Sequence, residues 1–267
     1  MLLLGVILGG CAQESLPVSV EPSQQKETDS EHDPPINPAP SLPVETLQQS
    51  ADYVSVDWDH DSNLLENGSF EEGREPWFAL NSPKRPYWMD FEVTEERALS
   101  GSRSALFRVH SQGEIHRGAR IWGVIYDLEP DTIPRHISGS YLVEDWRRGA
   151  VNQYLQVVVC VFDPIRDFPE LGGSPVQISF VLAGIDSPPF RISNRKFIFV
   201  GPKEPASGEW VNFDFDIHAA FKAHWGRVPK QFGKVRVFFE ARFDERRPAP
   251  DLNALVWFDD LYLGDGG

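Results

Sequence analysis

The chain has 267 residues, 41% hydrophobic and 12% aromatic, with 8 Trp and 18 Phe. That is enough for one large core, and the aromatic share suits half-buried strands better than a helical bundle. The formal charge is −15, which leaves no basic excess for nucleic acid. The charge is also unevenly placed. Between Ala12 and Asp61 there are eleven acidic residues and one basic, Lys26, whereas from Ser62 onward 29 acidic residues face 24 basic ones. The acidity belongs to the N-terminal segment.

Residues 1–10 form an apolar run ending in Gly9-Gly10, followed by Cys11. Ten residues are too few for a membrane-spanning helix, which needs about 20. A short apolar run ending in small residues fits a secretory signal and its cleavage site. Leu8-Gly-Gly-Cys11 resembles the bacterial lipobox, which implies cleavage before Cys11 and acylation of that cysteine. The expected location is extracytoplasmic, lipid-anchored to the cell envelope, with the outer membrane preferred. No Lys or Arg precedes the run, so either translation starts upstream of Met1 or the signal is a weak one. A chance hydrophobic tail is the alternative.

Residues 12–61 read as a disordered linker. Pro17, Pro22, Pro34, Pro35, Pro38, Pro40 and Pro43 stand among Ser, Gln, Glu and Asp, with no aromatic residue before Tyr53. Such a segment buries too little apolar surface to offset its ordering entropy. Its proline content keeps it extended, at about 3.1 Å per residue where it is polyproline-like. Near its end, Asp57, Asp59 and Asp61 alternate like the start of an EF-hand loop. Ser62 and Gly68 then stand where the invariant Gly and the bidentate Glu are required, so a solvated lead-in is the better reading.

From Ser62 to Gly267 the chain reads as one β-sandwich. Strands are expected at 105–110, 119–128, 136–143, 154–162, 176–183, 196–200, 210–217, 234–243 and 256–263, punctuated by Gly and Pro. Asn63 to Gly73 reads as an opening strand paired with the closing run Val256 to Leu263. One helix is expected between Asp216 and Gly226, packed across a mouth of the sandwich. Ile217, Ala220, Phe221, His224 and Trp225 recur there at helical spacing, with Asp216 as N-cap and Gly226 as C-terminal stop.

Four runs together carry a family resemblance: Asn63-Leu-Leu-Glu-Asn-Gly-Ser-Phe-Glu-Glu-Gly73 with Trp77, Ala98 to Val109, Gly208-Glu-Trp-Val-Asn-Phe213, and Val256-Trp-Phe-Asp-Asp-Leu-Tyr-Leu263. In this order they resemble the jelly-roll carbohydrate-binding modules of the galactose-binding-like class, as attached to bacterial xylanases and glucanases. The resemblance covers residues 62 to 265. It implies a jelly-roll sandwich of two antiparallel sheets, a glycan partner and a monomer. The helix and the loop from Pro164 to Pro175 stand out as insertions. The resemblance also implies a structural calcium tying the first strand to the last, held by Glu71 and by Asp259 or Asp260, with Gly101 near a carbonyl contribution. Capping of strand ends by solvated carboxylates is the alternative.

Strand alternation suggests the ligand face. Arg120, Trp122 and Tyr126 oppose Ile121 and Ile125. Tyr154 and Gln156 oppose Leu155, Val157, Val159 and Val161. Arg236, Phe238, Glu240 and Arg242 oppose Val235, Val237, Phe239, Ala241 and Phe243. If these strands share a sheet, Arg120, Trp122, Tyr154, Gln156, Arg236 and Glu240 form one open face, where an aromatic ring can stack on sugar and polar groups can fix its hydroxyls. Solvated sheet surface is the alternative for each. The arginines favour an acidic glycan.

No catalytic residue is expected. The chain lacks a Gly-x-Ser-x-Gly elbow, a His-Glu-x-x-His motif, a P-loop and a dinucleotide fingerprint. Glu71-Glu72, Glu95-Glu96 and Asp259-Asp260 do not offer the separated pair that glycoside hydrolysis needs. A jelly-roll polysaccharide lyase using His116, Arg117 and Arg120 is one alternative, and an adhesive envelope lipoprotein that binds protein is the other. Cys160, inside an apolar run, is expected to be a free buried thiol.

Overall fold

The computed structural model describes residues 62–111, 118–149, 152–245 and 252–266. The expectations for the signal, Cys11, the linker, His116 and Arg117 lie outside those residues. Among the described residues, no helix is long and apolar enough to cross a membrane.

The strands are β1 (Trp88–Met89), β2 (Glu92–Thr94), β3 (Ser104–His110), β4 (Gly118–Leu128), β5 (His136–Arg147) and β6 (Gln153–Val161) in the first half. They continue with β7 (Val176–Ala183), β8 (Phe190–Ile192), β9 (Arg195–Phe199) and β10 (Trp210–Asp216). Helix α1 (Ile217–Trp225) follows, then β11 (Val235–Glu245) and β12 (Asn253–Gly264). They form a jelly-roll β-sandwich. One sheet has the order β1-β4-β11-β6-β7-β9-β8 and the other β10-β5-β12-β3-β2. All nine expected strands are present. The sheets are not wholly antiparallel, because β1 joins β4 and β7 joins β9 in parallel.

The core between the sheets follows from alternation. Val235, Val237, Phe239, Ala241 and Phe243 of β11 face inward with Leu155, Val157, Val159 and Val161 of β6. They meet Phe107, Tyr141, Phe258 and Val256 from the second sheet. Some of the intervening side chains of the long sheet are apolar too. Ile121, Ile125, Val158, Cys160 and Phe238 form a second cluster with Trp88 on its outer face. Cys160 is a free, buried thiol.

Residues 63–73 are turns rather than the opening strand expected. They still run beside β12. The Leu64 amide donates to the Leu263 carbonyl at 2.8 Å. The Asn63 side chain accepts from the Leu263 amide at 3.0 Å and donates to the Leu261 carbonyl at 2.9 Å. Gly68 must lack a side chain, since a Cβ there would lie 2.1 Å from the Leu261 oxygen. Trp77 then fixes the far end of the turn by donating to the carbonyls of Glu66 and Asn67 at 3.1 and 2.9 Å. A side chain therefore does part of the work that a strand ladder was expected to do.

Helix α1 forms as the spacing predicts. The Asp216 carboxylate accepts from the Ala219 amide at 2.7 Å, and Gly226 closes the helix in the left-handed region at φ 76°. Its buried face, Ile217, Ala220, Phe221 and Trp225, joins the core. Trp225 donates to the Gln177 carbonyl at 3.1 Å, so the helix leaves one sheet at β10 and is pinned to the other at β7.

Candidate functional site

The outer face of the seven-stranded sheet gathers four of the six side chains expected there. Register places Glu240 opposite Gln156 and Arg242 opposite Tyr154 across β11 and β6. Arg236 stands opposite Asp127 across β11 and β4. Arg120 and Trp122 are corrections. Trp122 is 3% exposed in the inter-sheet core, 6.2 Å from the Phe243 ring and 5.8 Å from His110. Arg120 is buried on the same inward side, and its Nη1 reaches the Met89 sulfur at 3.5 Å. The physical reason is that both faces of β4 are apolar. Ile121 and Ile125 oppose Trp122, Val124 and Tyr126, and the latter set packs into the core.

A second correction concerns openness. Tyr154, Gln156 and Glu240 are buried rather than displayed, at 4%, 0% and 2% exposure. The Gln156 amide donates to Glu240 Oε2. Arg242 Nη1 lies 3.6 Å from the same oxygen, and the Arg242 guanidinium stands 5.5 Å from the Tyr154 ring. The polar atoms near this row that find no partner include the acceptors Gln156 Oε1 and Ser179 Oγ. A buried acceptor left unpaired costs about 1–3 kcal/mol, so this row holds hydrogen-bonding capacity that the protein itself does not use.

Aromatic side chains flank the row. Trp88 sits over Gly123, where an added Cβ would lie 3.2 Å from its ring and 3.4 Å from Glu240 Cγ. It also stacks on Phe238 at 6.1 Å. Beyond it, Phe78, Tyr87 and Phe162 are only partly buried. Arg236 stands 5.5 Å from the rings of both Phe78 and Phe162. It forms a two-pronged bond with Asp127 at 2.5 and 2.7 Å, and Lys234 adds a third contact at 3.0 Å. Burial pushes the Asp127 carboxyl up, but the Arg236 and Lys234 contacts outweigh it and hold the group below its usual range. Sequence reasoning missed Trp88, whose strand is too short to show periodicity. The available signal was Gly123, since a glycine inside a strand of large residues marks a close approach.

The expected calcium residues gather around one loop. Glu71 accepts from the amides of Ser102 and Arg103 at 2.8 and 2.7 Å and from the Ser102 hydroxyl at 2.9 Å. Those bonds hold its pKa below the usual range. A Cβ on Gly101 would lie 2.5 Å from the Glu71 carboxylate. Asp259 accepts from the amides of Leu99 and Asp260 at 2.7 and 2.8 Å, and Asp260 accepts from the Ser100 hydroxyl at 2.5 Å. The two aspartates occupy a bulge in β12 between Asp259 and Tyr262, with Asp260 at φ 50°. Burial, then repulsion from Asp260, pushes Asp259 up to about 7 despite its amide donors. A fully buried carboxylate beside a second one suits a hard cation in chemical type. Among the described residues no three His, Cys, Asp or Glu side chains are grouped to hold a metal, so loop carbonyls would have to supply the remaining ligands.

No protein family profile and no curated protein sequence matches this chain. Solved structures similar to it include three carbohydrate-binding modules. A CBM61 module in complex with β-1,4-galactotriose is 13% identical at a TM-score of 0.40, covering 76% of this chain and 98% of the module. The CBM22-1 xylan-binding domain of Paenibacillus barcinonensis Xyn10C is 14% identical at 0.36, covering 75% and 94%. A CBM28 module specific for non-crystalline cellulose is 10% identical at 0.39, covering 75% and 93%. Likeness at this level concerns the course of the chain and carries nothing about this protein's ligand.

The buried row makes its own test. Glu240→Ala removes the acceptor that Gln156 and Arg242 share, and breaking a buried ion pair costs about 3–5 kcal/mol. Denaturant unfolding is expected to show a loss of that size, and a smaller one for Glu240→Gln, which keeps an acceptor oxygen but still removes the counter-charge of Arg242. Equal and small losses for both variants would mean that the row contributes nothing to the fold.

Proposed function

We propose that the domain binds a polysaccharide without cleaving it, on the outer face of the seven-stranded sheet. The observation that carries this reading is the combination on one face of partly buried Phe78, Tyr87 and Phe162 with Arg236, Asp127 and Lys234. A sugar ring presents apolar C–H faces to aromatic side chains and hydroxyls to charged groups, and this surface supplies both kinds of partner. The unused acceptors at Gln156 and Ser179 lie on the same side of the sheet. A ligand contacting them has to displace what covers the row. Binding rather than hydrolysis is favoured because Glu240 and Asp127 are four residues apart across neighbouring strands. Strand rise puts them roughly 13 Å apart, wider than the about 5–9.5 Å of glycosidase pairs, and Asp127 is already held by two cations.

Stacking with a few hydrogen bonds corresponds to a Kd between about 1 μM and 1 mM. Calorimetric titration with hits from a glycan array is expected to fall in that range. Tyr87→Ala, at a partly exposed position, is expected to weaken binding about fivefold, or roughly 1 kcal/mol, with the melting temperature nearly unchanged. An array without hits, or hits indifferent to this change in a folded variant, would turn the reading to the protein-binding alternative.

Calcium at the loop of residues 99–103 is part of the same proposal. Glu71 and one of Asp259 and Asp260 would hold it together with loop carbonyls, and its charge would offset the repulsion between the two aspartates. A ligand that binds only the native state stabilises it, so chelation is expected to lower the melting temperature and calcium to restore it. An unchanged melting curve, on protein that elemental analysis shows to be metal-free, would remove calcium from the account.

We also propose that acylated Cys11 anchors the domain to the envelope and that the proline-rich stretch holds it away from the lipid. What supports this is Leu8-Gly-Gly-Cys11 followed by the acidic linker. Cys11→Ser is expected to move the protein out of the membrane fraction, and a variant that stays there would contradict the anchor.

A further inference from the structure

The hairpin of β8 and β9 places Arg191 directly opposite Lys196. Like charges in directly opposed positions destabilise a strand pair. Phe190, Ile192 and Phe197 pack in a cluster on the outer face of the sheet, so by alternation Arg191 and Lys196 point the other way. That direction is toward helix α1. The Arg191 guanidinium stands 4.7 Å from the centre of the Trp225 ring, and Lys196 Nζ stands 5.7 Å from the same centre. His224 precedes that Trp and interacts with Lys196.

Among the described residues no carboxylate pairs with these three groups. Among the ion pairs of the described residues, none involves Arg191, Lys196 or His224. Arg191 spends only its Nε, on the Ser193 carbonyl at 2.6 Å. Burial and then Arg191 hold Lys196 below its usual pKa, and burial and then Lys196 do the same to His224. From Ser62 onward 29 acidic residues face 24 Lys and Arg, so two converging cations with no acid paired to either stand out even there. His224, held toward its neutral form, adds no charge. Arg236 shows the ordinary arrangement, sharing Asp127 with Lys234 beside the Phe162 ring.

We infer that Arg191 and Lys196, backed by the Trp225 ring, form a binding site for an oxyanion, either the carboxylate of an acidic glycan or a free inorganic anion. An anion supplies the charge that the cross-strand pair lacks. A guanidinium and an ammonium side by side offer the fork and the point charge that together suit such a group. The site lies on the opposite side of the sheet from the Gln156–Glu240 row, so it stands or falls separately from the glycan reading given above.

The test uses the intact protein and three probes at matched ionic strength: sodium sulfate, an oligogalacturonate, and a neutral oligosaccharide with sodium chloride. Melting temperature and calorimetric affinity are read for the wild type, Lys196→Met and the Arg191→Gln/Lys196→Met double variant. Sulfate or the uronate is expected to raise the melting temperature above the chloride control, and the double variant is expected to lose at least tenfold in affinity. Without added anion, Lys196→Met is expected to melt no lower than the wild type, because it removes the cross-strand repulsion. A shift with the uronate alone identifies a glycan carboxylate as the source, and a shift with both identifies a general oxyanion site. No shift with either, equal affinity in the double variant, or an anion-free Lys196→Met that melts lower, would overturn the inference.

Discussion

The constraint on which the rest depends is the register of β11 between β4 and β6. It pairs with both along its length, and its alternate residues go to two different environments. Val235, Val237, Phe239, Ala241 and Phe243 fill the space between the sheets, while Arg236, Glu240 and Arg242 stand on the other side. A slip of one residue exchanges these sets. It would put Glu240 and Arg242 into the apolar core, where an unpaired charge costs several kcal/mol. The polar row on the outer face therefore fixes the register as firmly as the core does. The same row positions the candidate site.

The sheet is also covered on both faces, and this explains what sequence reading could and could not recover. The nine longer strands and α1 are legible because runs of five or more residues, or a capped helical stripe, carry their own period. Strands β1, β2 and β8 have two or three residues, too few for any period. Alternation also sorts side chains into two sets without saying which set is inside. For β11 the charges decide it. For β4 both sets are apolar, and Trp122 went to the core while Ile121 and Ile125 went outward. Trp88 occupies the place over Gly123 that a ligand-facing Trp was expected to fill.

The joint between the chain's first and last described segments shows a different economy. Asn63 and Gly68 lie against β12, and Glu71, Asp259 and Asp260 each grip the loop of residues 99–103. The residue types that close this joint were readable in sequence, including the Glu71 and Asp259 pair. Their donors were not, because the amides of Leu99, Ser102 and Arg103 are invisible in side-chain identity. A loop backbone carries the same N–H whatever its residues, so hydrogen-bonded carboxylates of this kind become legible only with the chain course.

Cations beside aromatic rings occur on β11 within the long sheet and on its edge hairpin β8–β9, and their different company separates structure from recognition. At Arg236 and Lys234 one of the two positive charges is returned to Asp127, and the rings of Phe78 and Phe162 flank the group. That group can exchange hydrogen bonds with a neutral hydroxyl, since Asp127 already offsets part of its charge. At Arg191 and Lys196 the same chemistry is present without the acid, so a neutral ligand leaves the repulsion in place and only an anion relieves it. Exposed interactions of this type weaken over a Debye length of about 8 Å at physiological salt. Half-buried ones such as Lys196 against Trp225 are screened less. The two patches therefore differ in the ligand charge they favour and in how strongly salt acts on them, although both are built from a basic side chain laid against an aromatic ring.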